Sequence, residues 1–372
     1  MLGVAMKKHV KRLSVRPDSR KTSIKTRTTI TLVSLIGSIA LSMTLLGTFA
    51  AFAAGVKETP AKANPWGLAF DNAGHVWVAE PGCDAEPNCL TTFRSYIGEY
   101  NRSNESLVKN YFEPSGYSSP VFLATKNGNI WFTESTTNAI GRLIPGSTPH
   151  WTQWKVPTAS ANPYDLLFDK NGNLWFTEYT GNKIGFFNPT TNTFAETIVP
   201  TANSHPYGIT MDNYGTIWFV ENNAMKIASF TPTTGGKVTI KEHAIAPLNN
   251  PHLITSDAAG NIWYSEGFSG DIGEFIPKTG AHKNISVTPP NTSTHISGIA
   301  VDSKGRIWFD DSLSARVGYY NPATGTTKTL TLSNTNAHPY NGLGVDAANN
   351  TWFTEEFGGP TGSLGEVPAG TI

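Results

Sequence analysis

Cysteine is nearly missing from this chain: 372 residues hold two. Charge is scarce too, with Asp, Glu, Lys and Arg at 15%. Beyond residue 55 no segment keeps a 3.6-residue apolar period, which argues against a helical body. Three catalytic signatures are also absent: the G-x-S-x-G elbow, the Walker phosphate loop and the H-E-x-x-H zinc motif. "GPTGSLG" near the end is a turn-rich loop and a weak phosphate signal. A disulfide framework is excluded by the cysteine count. Cys83 and Cys89, in "CDAEPNC", are expected to pin one local loop as a disulfide; a zinc knuckle would need a second pair.

The zero formal charge hides an asymmetry. Residues 1–55 carry nine Lys and Arg and one acid, Asp18. Subtracting these from 28 basic and 28 acidic residues leaves 19 and 27, a net charge of −8 beyond position 55. An acidic body argues against nucleic acid as a partner, because phosphate neutralisation needs clustered Lys and Arg. Residues 1–28 form a basic region, and 29–54 an uncharged apolar run ending in "AFAA". This reads either as a signal peptide cleaved between Ala53 and Ala54 or as an uncleaved membrane anchor. In both cases the basic end stays in the cytoplasm, residues 55–372 lie outside, and the membrane is touched only through this segment. The Asn-x-Ser/Thr triplets at Asn101, Asn104, Asn284 and Asn291 fit exposed loops.

What the chain has in abundance is repetition. "GNIWFTESTTNAIGRLIP" from Gly128 recurs as "GNLWFTEYTGNKIGFFNP" from Gly172 and "GNIWYSEGFSGDIGEFIP" from Gly260. The marker tryptophans are Trp77, Trp131, Trp175, Trp218, Trp263, Trp308 and Trp352, spaced 54, 44, 43, 45, 45 and 44 residues apart. The one long spacing contains the cysteine loop. Seven units of about 44 residues match a β-propeller with one four-stranded antiparallel sheet per unit. In the third unit, "YDLLFD", "LWFTE", "KIGFFNP" and "TFAETIVP" read as the four strands, with a glycine turn after the first. The repeated Trp is expected to pack between sheets. The last unit, ending "SLGEVPAGTI", lacks a fourth strand. Gly55–Ala63 is expected to supply it and close the ring, which makes a monomer the expected state.

The "G-N-x-W-F-T-E…N-K-I-G" sentence, carried through all seven units from about Asn64 to the C-terminus, resembles the virginiamycin B lyase family. The resemblance implies a seven-bladed propeller that linearises a cyclic depsipeptide by elimination at its ester bond, assisted by Mg²⁺. It places the family's late carboxylate on Glu356, four residues after Trp352. The family's histidine positions in units six and seven fall on Ser297 and Asn341, and the carboxylate beside the second on Pro339. His295 and His338 stand two and three residues upstream. The family phrase P-H-x-I-T occurs in unit five as "NPHLITSD", with His252.

Hairpin geometry brings the start of each first strand and the end of each second strand to one end of the propeller. That mouth is expected to gather Trp66, Tyr164, Tyr207, His252 and Tyr340 as ligand-binding residues, with His205 alongside. His295, His338 and Glu356 are the candidate catalytic groups. The residue three past each marker Trp is acidic in every unit: Glu80, Glu134, Glu178, Glu221, Glu266, Asp311 and Glu355. Seven equal members suit a structural role, whereas a mouth lined with carboxylates would attract Mg²⁺, or Ca²⁺ as the alternative, with Glu355 and Glu356 as candidate ligands. The expected partner is a small molecule or cyclic peptide. Two other readings stay open: a non-catalytic propeller binding a peptide, sugar or cell-wall component, and a metal-dependent lactonase.

Overall fold

Each repeat is organised around a tight hairpin turn. In the third unit Asp169 Oδ1 accepts from the backbone N–H groups of Asn171 and Asn173, both at 2.9 Å. Its Oδ2 accepts from Trp175 Nε1 at 2.9 Å. Gly172 sits at φ +83, a conformation glycine adopts without strain. One carboxylate thus ties the turn and orients the marker indole. Asp71, Asp212, Asp257, Asp302 and Asp346 hold Trp77, Trp218, Trp263, Trp308 and Trp352 in the same way. The second unit has Thr125 in the acid's place. There Trp131 stacks on Trp154 at 5.4 Å, with the Arg142 guanidinium over its face.

The computed structural model describes residues 55–61, 64–82, 94–243, 245, 250–289, 292–356 and 362–372. The expected signal or anchor (residues 1–54) and the Cys83–Cys89 disulfide lie outside the described residues. The described strands form seven four-stranded antiparallel sheets. Six follow chain order from the innermost strand outward; the third, for example, runs Pro163–Phe168, Leu174–Glu178, Lys183–Asn188 and Thr193–Ile198. Helix among the described residues is confined to a 3₁₀ turn at Ser312–Ser314. All seven marker tryptophans are buried, at most 4% exposed, so their role is packing.

The seventh sheet mixes the two ends of the chain. Lys57–Pro60 pairs antiparallel with Ser363–Val367 as its outermost strand, in the register Lys57↔Glu366 to Pro60↔Ser363. Ala61 N–H donates to Gly362 O at 3.0 Å and extends the seam. The expected closure is therefore present.

Neighbouring blades are joined by buried hydroxyls two residues past the marker Trp. Thr133 donates to Tyr164 O, Thr177 to Tyr207 O at 2.7 Å, Ser265 to Ser297 O at 2.7 Å, and Thr354 to Trp66 O at 2.6 Å. Each bond fixes the innermost strand of the next blade at the point where it leaves the mouth.

Deleting residues 55–61 removes the closing strand and bares the edge at Ser363–Val367. Loss of several backbone bonds at about 1 kcal/mol each predicts a fall in Tm of about 5 °C or more by calorimetry. An unchanged Tm would show that the seam is not part of the cooperative fold.

Candidate functional site

The innermost strands begin with a short phrase that turns a large side chain toward the mouth: Trp66, Tyr164, Tyr207, His252 and Tyr340. The structure brings all five together across five blades. Trp66 lies 6.0 Å from Tyr164 and 6.2 Å from Tyr340, ring to ring, and Tyr207 is 5.2 Å from His252. The hydroxyls of Tyr164 and Tyr207 share a hydrogen bond. Tyr164, Tyr207 and His252 are nearly buried, and they form a wall behind Trp66 and Tyr340.

Against that wall opens a cleft of about 370 Å³ lined by Trp66, Phe268, His295, Ser312, Leu313, His338, Tyr340 and Glu356. His338 Nδ1 lies 3.1 Å from Glu356 Oε2. The backbone makes this meeting obligatory, because Glu356 N–H donates to His338 O at 3.0 Å. His295 is held the same way: Ser312 N–H donates to His295 O at 3.0 Å, and Ser312 Oγ lies 3.2 Å from His295 Nδ1. The Tyr340 ring sits between the two imidazoles, 5.4 Å from His295 and 5.3 Å from His338. His205 faces the other side of the mouth, 4.4 Å from Tyr179. Its backbone is left-handed (φ 52), like Asn162 and Asn250 at the equivalent positions, whereas His295 and His338 do not share that conformation.

Burial sets the protonation of the inner imidazoles. His252 is pushed down to about 3 by burial, reinforced by His295. His295 is pushed down to about 4 by burial and by His338, with Asp311 opposing. Both are neutral at pH 7.

Ser297 and Asn341, where the resemblance would put histidines, are buried in a polar knot behind the cleft. Ser297 Oγ donates to Asp310 Oδ1 at 2.8 Å and receives Asn341 N–H at 3.2 Å. Gly298 N–H also donates to Asp310 Oδ1. Asp310 is pushed up to about 6 by burial.

The acids three past each Trp do not line the cleft. All seven have no exposed surface. Alternate strand residues face opposite sides of a sheet, so these acids share the face of the residue after the Trp and point into the blades. Glu134 bonds Thr137 and Gln153 of its own sheet. Glu355 lies near Glu58 of the closing strand, away from Glu356. Asp311 alone serves the site indirectly: it accepts His295 N–H at 3.0 Å and pairs with Arg316 at 2.6 Å. Among the described residues no three or more His, Cys, Asp or Glu are grouped to hold a metal ion.

Ser312, Phe268 and Leu313, the cleft residues that sequence reasoning missed, sit one and two positions further on, in the positions that also supply Glu356. Four past the Trp the residue varies (Pro81, Ser135, Tyr179, Asn222, Gly267, Ser312 and Glu356), and Ser312 and Glu356 line the cleft. Five past it come Phe268 and Leu313. The readable signal was variation within the repeat.

The seven sheets and the cleft they carry define a seven-bladed β-propeller with a candidate ligand site at one mouth. The chain belongs to the virginiamycin B lyase family, whose model matches residues 94–295. A streptogramin B lyase structure aligns at 25% identity and TM-score 0.70, over 84% of this chain and 96% of that one. The Staphylococcus aureus virginiamycin B lyase aligns at 23% identity and TM-score 0.71, over 84% and 98%. A catalytically inactive variant of that enzyme with quinupristin aligns at 22% and 0.71, over the same shares. No curated protein matches the chain by sequence.

The buried acids predict the pH dependence of stability. Burial pushes Glu134 and Glu221 up to about 7, and Glu178 and Glu355 up to about 8. Raised folded-state values favour the neutral form. Their contribution is fully present below the ordinary glutamate value and is lost as pH rises through 7 to 8. Melting scans are expected to show Tm falling from pH 5 to pH 8, with a shallower fall in Glu178→Gln. A Tm rising across that range would contradict the assignment.

Proposed function

We propose that this protein is an exported lyase that opens cyclic depsipeptides by elimination at their ester bond. The observation that carries the reading is the His338–Glu356 pair, 3.1 Å apart, in a cleft backed by Trp66 and Tyr340. The basic and apolar residues 1–54 support export.

In this reading the ester-bearing ring lies on Trp66 and Tyr340, which supply apolar surface. His338 takes a proton from the carbon adjacent to the one bearing the ester oxygen. The released electron pair forms a carbon–carbon double bond, the C–O bond breaks, and the acyl group leaves as a carboxylate. Glu356 orients the imidazole and stabilises its charged form. His295, neutral and held by Ser312, positions the leaving side by hydrogen bonding. The donor set also fits Mg²⁺, which keeps several waters and needs only one or two carboxylates. Glu356 would be that carboxylate, and Glu355, turned into its blade, would not share it. A bound Mg²⁺ would polarise the carbonyl and ease departure of the carboxylate.

One observation favours a second reading. Where the resemblance would put histidines, Ser297 Oγ is committed to Asp310 and the buried Asn341 side chain accepts from the Tyr207 hydroxyl at 3.4 Å, which suits a propeller that binds without turnover.

Incubating the protein with quinupristin and Mg²⁺, and following ring opening by mass, separates the two. Opening is expected, with His338→Ala and Glu356→Gln each reducing kcat at least about 100-fold, as loss of a general base does. Binding without opening favours the second reading. Full activity in both variants rejects the pair as the catalytic centre.

A further inference from the structure

We propose that Phe268 and Leu313 form an apolar clamp at the lip of the cleft, selecting ligands that carry an uncharged aromatic or bulky aliphatic group beside the ester. The ester itself rests on the lyase reading; the clamp is read through binding alone.

Large apolar side chains in this propeller are mostly inside, yet Phe268 is 59% and Leu313 53% exposed, and both line the cleft. They occupy one repeat position, five past the marker Trp, in adjacent blades. The same position holds Gly82, Thr136, Thr180 and Asn223 in the first four units, so the fold does not require an apolar residue there. The last unit has Phe357, which lies outside the described residues. Each side chain has a fixed base. The Phe268 ring lies 4.7 Å from that of His295. Leu313 is the middle residue of the 3₁₀ turn Ser312–Ser314, which ends at Ala315 with φ 46.

The charge around the lip narrows the ligand further. Among the described residues Glu356 is the one acid lining the cleft, and no Lys or Arg lines it. An acidic group would meet a carboxylate with no Lys or Arg among the described lining residues to offset it. A neutral apolar group, by contrast, would cover two exposed hydrocarbon side chains and gain the hydrophobic contribution of each.

The test replaces both residues with the threonine found in other blades: Phe268→Thr, Leu313→Thr and the double variant of the full chain. Quinupristin binding is measured by calorimetry, and Tm reports the fold. The double variant is expected to raise Kd at least tenfold and to raise KM more than it lowers kcat, with Tm within about 1 °C of the parent, as surface substitutions behave. Phe268→Leu, which keeps apolar surface, is expected to recover most of the affinity. A Kd within twofold of the parent in the double variant overturns the clamp, as does failure of the parent to bind quinupristin. Parent binding without ring opening defeats the lyase reading instead, and the Kd ratio still decides the clamp.

Discussion

The ring depends on a buried hydroxyl reaching across each of several blade interfaces. Thr133, Thr177, Ser265 and Thr354 donate to carbonyls of the following blade, and three of those carbonyls belong to Tyr164, Tyr207 and Trp66. Such bonds contribute about 1 kcal/mol each, but leaving one buried carbonyl unpaired costs more. They fix spacing at the point where each chain turns into the mouth. Ala79 and Val220 take the hydroxyl's place in blades one and four. Blade six has Asp310 instead, which accepts from Ser297 and Gly298 and draws Asn341 into the same network.

A division of labour follows along each second strand. The Trp and the buried acid recur in all seven blades, and the hydroxyl in four, because blades must pack on their neighbours in a similar way. The next two residues leave the sheet and vary. Glu356, Ser312, Phe268 and Leu313 all come from those two positions, in blades five to seven. The asymmetry a binding site needs is written there.

The seven-unit ring, its closing strand and the gathering of aromatics and histidines at one mouth were legible in the sequence, because period and strand direction determine them. The orientation of the acids was not. Placing Glu355 beside Glu356 in one mouth overlooked strand alternation, which sends one into the blade and the other into the cleft. The aspartate six before six of the seven marker tryptophans went unnoticed as well, because its role depends on turn geometry closing it onto the indole. Ser297 and Asn341 show a third limit. The innermost strand of blade seven carries one more residue in its bulge than its counterpart in blade six, between Pro339 and Leu343 against Ile296 and Ile299. Asn341 takes φ 63 there, and its neighbour Tyr340 lines the cleft, between His295 and His338. A one-residue bulge of that kind has no signature in repeat spacing.

The account rests on varying residues from several blades being held at a single mouth by the recurring ones. A crystal structure of the protein with quinupristin tests this directly. The ligand is predicted to lie against Trp66 and Tyr340, within hydrogen-bonding reach of His338 or Glu356. A ligand seated at the opposite end of the channel, or on the outer strands, would contradict it.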